Sequence, residues 1–415
     1  MSDGRYTHIL SDEGLQRLFA AFPPNTIRLV GGAVRNAVLG EPVNDIDIAT
    51  TLEPMEVLDT LGRSDIKAVK TGIDHGTVTA VIGGKPYEIT SLRRDVETDG
   101  RRAVVAYTTD WAEDARRRDF TMNALYMDVD GTIHDPTGQG LEDAEARRLR
   151  FVGDADERVR EDYLRSLRFF RFMAYYSGDA KVDADALKAI RENVSGLSTL
   201  SAERVWTELK RLLCAPDPVR AVTVMQQQGV LTALLPEADN TDGLRTYVQL
   251  ERREALAPDP LRRLMAMGAR LPLPVLTLAR RLKLSKAESA RLKAWAESEA
   301  PLDQLVDPVT NDRERLAWIY REGKTVIMDR AILRAATEEN AMKSAYFMSL
   351  ADLAMGWTPP DFPVSGKDLR KLGVSPGEGM GRMLKALEAL WVRSGFSADR
   401  AKLLAAARMM GAGEG

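Results

Sequence analysis

Cysteine is nearly absent: Cys214 is the single one in 415 residues. One thiol forms neither an internal bridge nor a cysteine-based zinc site, so a disulfide scaffold is excluded and a reducing cytoplasmic setting is expected. No stretch of about eighteen uninterrupted apolar residues occurs, which argues against a membrane-spanning helix. The opening MSDGRYTHILSDEG is acidic and polar and does not read as an export signal. Net charge is also small, with 58 Lys and Arg against 61 Asp and Glu, or −3. A uniformly basic nucleic-acid coat protein is thereby excluded, but a local basic site is not. Between Arg147 and Arg171 eight arginines face five acids, Asp154, Asp156, Glu157, Glu161 and Asp162. Arginine is the cation suited to forked contacts with phosphates and base edges.

The length allows two to four folding units with real cores. From Ile27 to about Pro136, short β-rich runs alternate with turns: TIRLV, NDIDIA, IKAVK, GTVTAVIG, PYEITSL, AVVAY and ALYMDVDGTIHD, the last predicting a hairpin that turns at Asp130-Gly131. After about Leu141 apolar residues recur at i, i+3 and i+4, as in EDYLRSLRFFRFMAYY and SAERVWTELKRLL, and predict helices. The joints CAPDP, APDP, LPLP and WTPPDFP punctuate this helical part, and Ser285 with Glu288 predicts a capping box.

In LVGGAVRNAVLGEPVNDIDIAT, Gly31-Gly32 follow a strand, and Asp45-Ile46-Asp47 fall on the next one. Residues i and i+2 of a strand share a face, so Asp45 and Asp47 are expected to present two carboxylates together. Such a pair favours a cation, and Mg²⁺ is commonly held by one or two carboxylates plus substrate phosphates. The glycines let a triphosphate approach the backbone at a helix N-terminus, and Arg35 is expected to add a phosphate contact. A plain turn and a surface acid pair are the ordinary alternatives for each part alone. Together the spacing resembles the signature of the polymerase-β-type nucleotidyltransferase superfamily. That resemblance requires a third carboxylate from a neighbouring strand, for which PYEITSLRRD offers Glu88.

RRRDFTMNALYMD places Arg116, Arg117 and Arg118 beside Asp119 and Asn123. The arginines are suited to phosphates, and Asp119 and Asn123 to ribose hydroxyls; a helix cap at Asp119 with solvated arginines is the alternative. RRDFTMNAL resembles the ribose-recognition motif of the class II tRNA nucleotidyltransferase and bacterial poly(A) polymerase family. In REDYLRSLRFFRF, Asp162 and Arg165 stand three apart, and Arg168 and Arg171 continue the stripe. An exposed ion pair worth a few tenths of a kcal/mol is the bland reading. As a template, however, a carboxylate beside a guanidinium matches the amino donor and ring-nitrogen acceptor of cytosine and adenine alike. Guanine and uracil would meet it with like groups opposed, leaving them unpaired.

EDYLR fits the family's Glu-Asp-x-x-Arg motif, in which Asp162 and Arg165 would select the base while Arg168 and Arg171 contact the nucleotide. The resemblance extends from about 27 to 395, dense over 27–215 and sparse through 220–355. It implies an α+β chain: a small mixed-sheet polymerase-β-type head over 1–143, then an elongated all-helical neck over 144–215 that selects the base, a body over 216–305 and a tRNA-binding tail over 306–415. The implied activity is template-independent addition of the tRNA 3′ CCA from CTP and ATP, with two Mg²⁺ ions on Asp45, Asp47 and Glu88. Gly31, Gly32, Arg35, Arg117 and Arg118 would hold the triphosphate. A poly(A) polymerase and a partial CC- or A-adding enzyme share these motifs. SAERVWTELKRLL resembles a pocket-supporting motif, with Glu203 and Arg204 taken as structural, and Asp99-Gly100-Arg101-Arg102 resembles the loop that switches C to A addition. Asn36 departs from the family's usual Asp, which leaves open how Arg35 is ordered. With His8, His75 and His134 as the only histidines, the His-Asp phosphohydrolase domain of some relatives is not expected in these residues.

Overall fold

The computed structural model describes residues 6–43, 45–70, 72–94, 106–238 and 240–411. The loop carrying Asp99-Gly100-Arg101-Arg102 therefore lies outside the described residues. Two compact units divide the chain, Met1–Leu234 and Leu235–Gly415.

The first unit is built on a seven-stranded sheet. In chain order its strands are β1 (Ile27–Val30), β2 (Asp47–Thr50), β3 (Lys67–Val69), β4 (Thr77–Ile82) and β5 (Lys85–Ser91), with β8 (Tyr126–Met127) and β9 (Ile133–His134) completing it. The spatial order is β3-β4-β5-β2-β1-β8-β9, and a separate ribbon pairs β6 (Arg93–Arg94) with β7 (Ala106–Tyr107). Every neighbouring pair is antiparallel except β2 and β5, which run parallel. The predicted mixed α+β head is thus present. β5 shows its logic: Tyr87, Ile89 and Ser91 are buried while Glu88 between them is exposed, the period-2 alternation of a half-buried strand. A two-residue turn, Gly83-Gly84, joins β4 to β5 with Ile82 paired to Lys85, and both glycines have positive φ, as the tight hairpin turn requires. The predicted hairpin turns at Gly131 (φ 87°), with the Asp128 N–H donating to the Thr132 carbonyl at 2.9 Å.

Helices α1 (Gly32–Leu39), α2 (Trp111–Arg116), α3 (Ala155–Glu161), α4 (Leu164–Phe172) and α5 (Ala202–Leu213) of this unit carry, in turn, Arg35, Arg116, Glu161, the trio Arg165, Arg168 and Arg171, and Arg204. Phe120, Phe151, Phe169 and Phe172 pack ring against ring, at 5.0–6.2 Å between centroids, and fasten α4 to the segment that follows α2. A π-helical turn, Met173–Ser177, continues α4 without a break.

The second unit is helical from Thr241–Arg253 to Arg400–Gly411. The sequence joints are its helix boundaries: Asp259 caps the helix Pro260–Met267, and Ser285 and Glu288 form the expected box. One apolar core runs from Tyr247 through Leu305, Val306 and Ile327 to Ala354, so it continues across the expected 305/306 division. A second gathers Val364, Leu369, Leu387, Trp391 and Leu403. Asp329, fully buried, accepts from Arg262 at 2.8 Å and Arg291 at 2.7 Å, which satisfies a charge that burial alone would disfavour. No helix among the described residues is long and apolar enough to cross a membrane.

Candidate active site

β1 ends where Gly31 turns the chain into α1. Its φ of 65° with ψ of −121° is a conformation glycine takes without a side-chain clash, and Arg118 Nη1 lies 3.4 Å from where a Cβ would sit. Because Gly31 peels away here, the last β1–β2 pair is Leu29 with Ile48, and β2 starts only at Asp47. Asp45 therefore precedes the strand, a correction to the expected shared strand; both carboxylates are nevertheless exposed and two residues apart. Glu88 is the register partner of Asp47 in the parallel β2–β5 ladder, which puts the two side chains on one face. Burial of its base pushes the Asp47 carboxyl above the ordinary carboxylate value, and the charge of Asp45 adds to this, while Arg118 and Arg35 oppose it. Among the described residues no three His, Cys, Asp or Glu side chains close into a metal cage. The hard, exposed oxygens of Asp47 and Glu88, with Asp45 adjacent, fit a divalent cation that completes its shell with phosphate and water.

Beside this turn, Asp114 on α2 is a hub the sequence reading missed. Only 1% exposed, it accepts from Arg117 Nη2 at 2.6 Å, from Arg118 Nη2 and the Tyr126 hydroxyl at 2.8 Å each, and from the Arg93 main chain at 3.2 Å. Burial alone would raise its pKa, but the two guanidinium groups win and hold it down at about 2, while Asp114 in turn holds Arg118 above its ordinary value. The spacing was visible in retrospect: an acid three and four residues ahead of two arginines on a helix. Arg116 points outward, with a loose 3.7 Å pair to Asp110.

Past Arg118 the chain does not enter the helix that the alternative reading of Asp119 as a cap requires; it makes one 3₁₀ turn, Thr121–Asn123, because β8 begins three residues later and pairs with β1. Asp119 Oδ1 accepts from the Phe120 N–H at 2.9 Å and from Asn123 Nδ2 at 3.0 Å, and its Oδ2 from Arg168 Nε at 2.9 Å. Burial works to raise Asp119, but Arg168 and Asn123 keep it below the ordinary carboxylate value. Asn123 Oδ1 accepts from Arg35 Nη1 at 2.6 Å. Arg35, expected at the triphosphate, is 6% exposed and faces protein instead: it also donates to Asn36 Oδ1 and to the Tyr176 hydroxyl, both at 2.8 Å, and stacks 4.0 Å from the Tyr176 ring. Asn36 thus supplies the acceptor that its family counterpart, Asp, would offer, and its own Nδ2 ties back to the Pro42 carbonyl at 2.8 Å.

The segment expected to select the base departs furthest from expectation. Asp162 and Arg165 do not share a helix face, since α3 ends at Glu161 and Asp162 is extended (φ −153°) before α4 begins at Leu164. Asp162 Oδ2 accepts from Arg204 Nη2 at 2.7 Å, and Oδ1 accepts from the Leu164 N–H at 3.1 Å. Arg165 reaches Glu161 and the Arg158 carbonyl. One turn beyond Arg204 on α5, the buried Glu208 accepts from Arg171 Nε at 2.7 Å. Arg204, read as structural, is therefore the direct partner of the expected base reader, a contact between residues 42 positions apart that spacing could not announce. Arg165, Arg168 and Arg171 remain half-buried on α4.

A mixed sheet with a glycine turn, an aspartate pair, an in-register glutamate and an arginine-rich flank defines a nucleotidyltransferase head. Residues 27–150 match the model of the poly A polymerase head domain, and residues 180–241 that of a probable RNA and SrmB-binding site of polymerase A. The mitochondrial CCA tRNA nucleotidyltransferase 1 of Homo sapiens is 34% identical over 412 residues, covering 95% of this chain and 90% of that protein. The CCA-adding enzyme of Geobacillus thermodenitrificans is 40% identical over 218 residues, 52% of each chain. Among solved structures, the Bacillus stearothermophilus CCA-adding enzyme in complex with CTP superposes with a TM-score of 0.74 at 29% identity, over 95% of this chain and 94% of that one. The chain belongs to the CCA tRNA nucleotidyltransferase family.

Proposed function

We propose that this chain restores or builds the 3′-terminal CCA of tRNA from CTP and ATP, releasing pyrophosphate at each step. The observation that carries the reading is the likeness along nearly the full chain to proteins named for this reaction. It joins a site whose acids and arginines are of the kinds that reaction needs. Asp45, Asp47 and Glu88 would hold divalent metal, which we take to be two Mg²⁺ ions. When bound, such ions lower the pKa of the attacking 3′-hydroxyl and stabilise charge on the departing pyrophosphate. Gly31 and Gly32 leave room for the triphosphate at the head of α1, and Arg117 and Arg118, held by Asp114, supply its counter-charge. Asp119 and Asn123 bond the ribose. Asp162 and Arg165, with Arg168 and Arg171 beside them, read the base as a carboxylate and a guanidinium that C and A can both satisfy. The neck, body and tail divisions set out from the sequence are part of this proposal, as is a cytoplasmic location, carried by the single thiol.

Labelled CTP and ATP supplied with Mg²⁺ to tRNA lacking CCA, to tRNA ending in CC and to oligo(A) test the reading. Addition of CCA followed by arrest on tRNA is expected. Long A tails on all three RNAs would make the chain a poly(A) polymerase, and extension of only one tRNA a partial enzyme.

A further inference from the structure

The buried guanidinium of Arg35 sits in a hydrogen-bonded circuit that begins and ends on the same helical rod. From Tyr176 the path runs to Arg35 Nη2 (2.8 Å), from Arg35 Nη1 to Asn123 Oδ1 (2.6 Å), from Asn123 Nδ2 to Asp119 Oδ1 (3.0 Å), and from Asp119 Oδ2 to Arg168 Nε (2.9 Å). Arg168 lies on α4 and Tyr176 in the π turn that continues it. Eight residues of α-helix make about 2.2 turns, which would leave Tyr176 about 80° round from Arg168. A π turn takes in about one residue more, so the same eight residues close about two turns and both side chains meet the head segment. The Tyr176 carbonyl is tied as well, accepting from Arg147 Nη1 at 3.3 Å, while Arg147 Nη2 holds Glu41 at 2.9 Å.

We propose that Tyr176 is a positioning residue for ribose selection, acting through Arg35 on the orientation of the Asn123 amide. Arginine only donates and a carboxylate only accepts, so Arg35 on one side and Asp119 on the other permit a single flip of that amide. The amide then keeps one N–H and one oxygen lone pair for a hydroxyl, a group that both donates and accepts. Nucleotides that lack the 2′-hydroxyl forfeit that bond. Arg35 retains Asn36 as a second anchor, so loss of the Tyr176 hydroxyl loosens the amide without freeing it.

The inference rests on the reading that Asp119 and Asn123 hold the ribose, and the test separates the two. The full-length protein, Tyr176→Phe and Asn123→Ala are compared for CTP against 2′-deoxyCTP incorporation into tRNA lacking its CCA. Tyr176→Phe keeps the ring over Arg35, and it is expected to lower the preference for CTP about fivefold, the worth of one hydrogen bond. The loss falls on the nucleotide KM, with kcat and the tRNA KM within about twofold of the parent. Asn123→Ala is expected to lower the preference at least about tenfold. If Asn123→Ala loses the preference and Tyr176→Phe keeps it, the role of Tyr176 is refuted and the ribose reading stands. If Asn123→Ala discriminates as well as the parent, the ribose reading fails and takes the inference with it. An equal fall in kcat for both nucleotides in Tyr176→Phe shows a structural role only and also refutes the proposal.

Discussion

The two ends of the site are built on opposite principles. At the carboxylate end Asp45, Asp47 and Glu88 are exposed, and among the described residues none of them accepts a side-chain hydrogen bond. At the end proposed to take the ribose and base, each of these charged side chains is held by another: Asp119 by Arg168, Asp162 by Arg204, Arg165 by Glu161, Arg171 by Glu208. The first arrangement leaves oxygens for a cation and phosphates to satisfy. The second fixes geometry in advance, which suits recognition, because a preorganised donor or acceptor discriminates by what it refuses to pair with.

Substitutions at the two ends should therefore separate activity from stability. Asp45→Ala is expected to cut incorporation by roughly a thousandfold or more, the scale of losing a main electrostatic element of the transition state, while thermal unfolding scarcely changes because no partner is orphaned. A melting temperature that fell along with activity would break the contrast. Asp162→Ala is expected to raise UTP misincorporation relative to CTP by roughly 10- to 100-fold, read in competition assays on tRNA lacking CCA; unchanged rejection of UTP and GTP would sink the template reading.

Asp114→Asn tests the held arginines, and the expected loss of stability is about 3 kcal/mol by urea unfolding, since removing one member of a buried pair strands the other. The folded pKa of Asp114, about 2, lies below its ordinary 3.8. Its contribution is accordingly complete above about pH 4 and lost as pH falls through about 2, a linkage of roughly 2 kcal/mol. The variant should lose that acid slope. The smallest effect belongs to Asn36→Asp: a carboxylate strengthens the bond to Arg35 but forfeits the donor to Pro42. A change within about 1 kcal/mol is expected, with incorporation near the parent level.

Much of the head was legible in the sequence, because alternation and turn residues are local signals. The strand around Glu88 and the turn at Gly131 follow directly from them, and the register that sets Glu88 beside Asp47 was the one consequence that needed the structure. What escaped was long-range or broke the local rule. Asp162 and Arg165 have helical spacing, but the extended backbone at Asp162 interrupts the helix and hands the aspartate to Arg204. Tyr176 reads as one more aromatic on an apolar helix until a π turn rotates it onto Arg35. Arg35 itself carries the family's spacing, yet nothing in its neighbours foretold that Asn123 and Tyr176 would enclose it.

The Gly83-Gly84 turn also measures distance. Strand β5 has no short link to β2; more than thirty residues separate Thr50 from Lys85, and they include β3 and β4, the latter paired residue by residue with β5. What meters Glu88 is the hairpin, which counts three residues from Lys85 with no slack. Adding or deleting one residue there would turn Glu88 toward the core and bring Tyr87 or Ile89 into its place beside Asp47. Two glycines at the rim of the sheet thus act as the gauge for a carboxylate that stands several residues away.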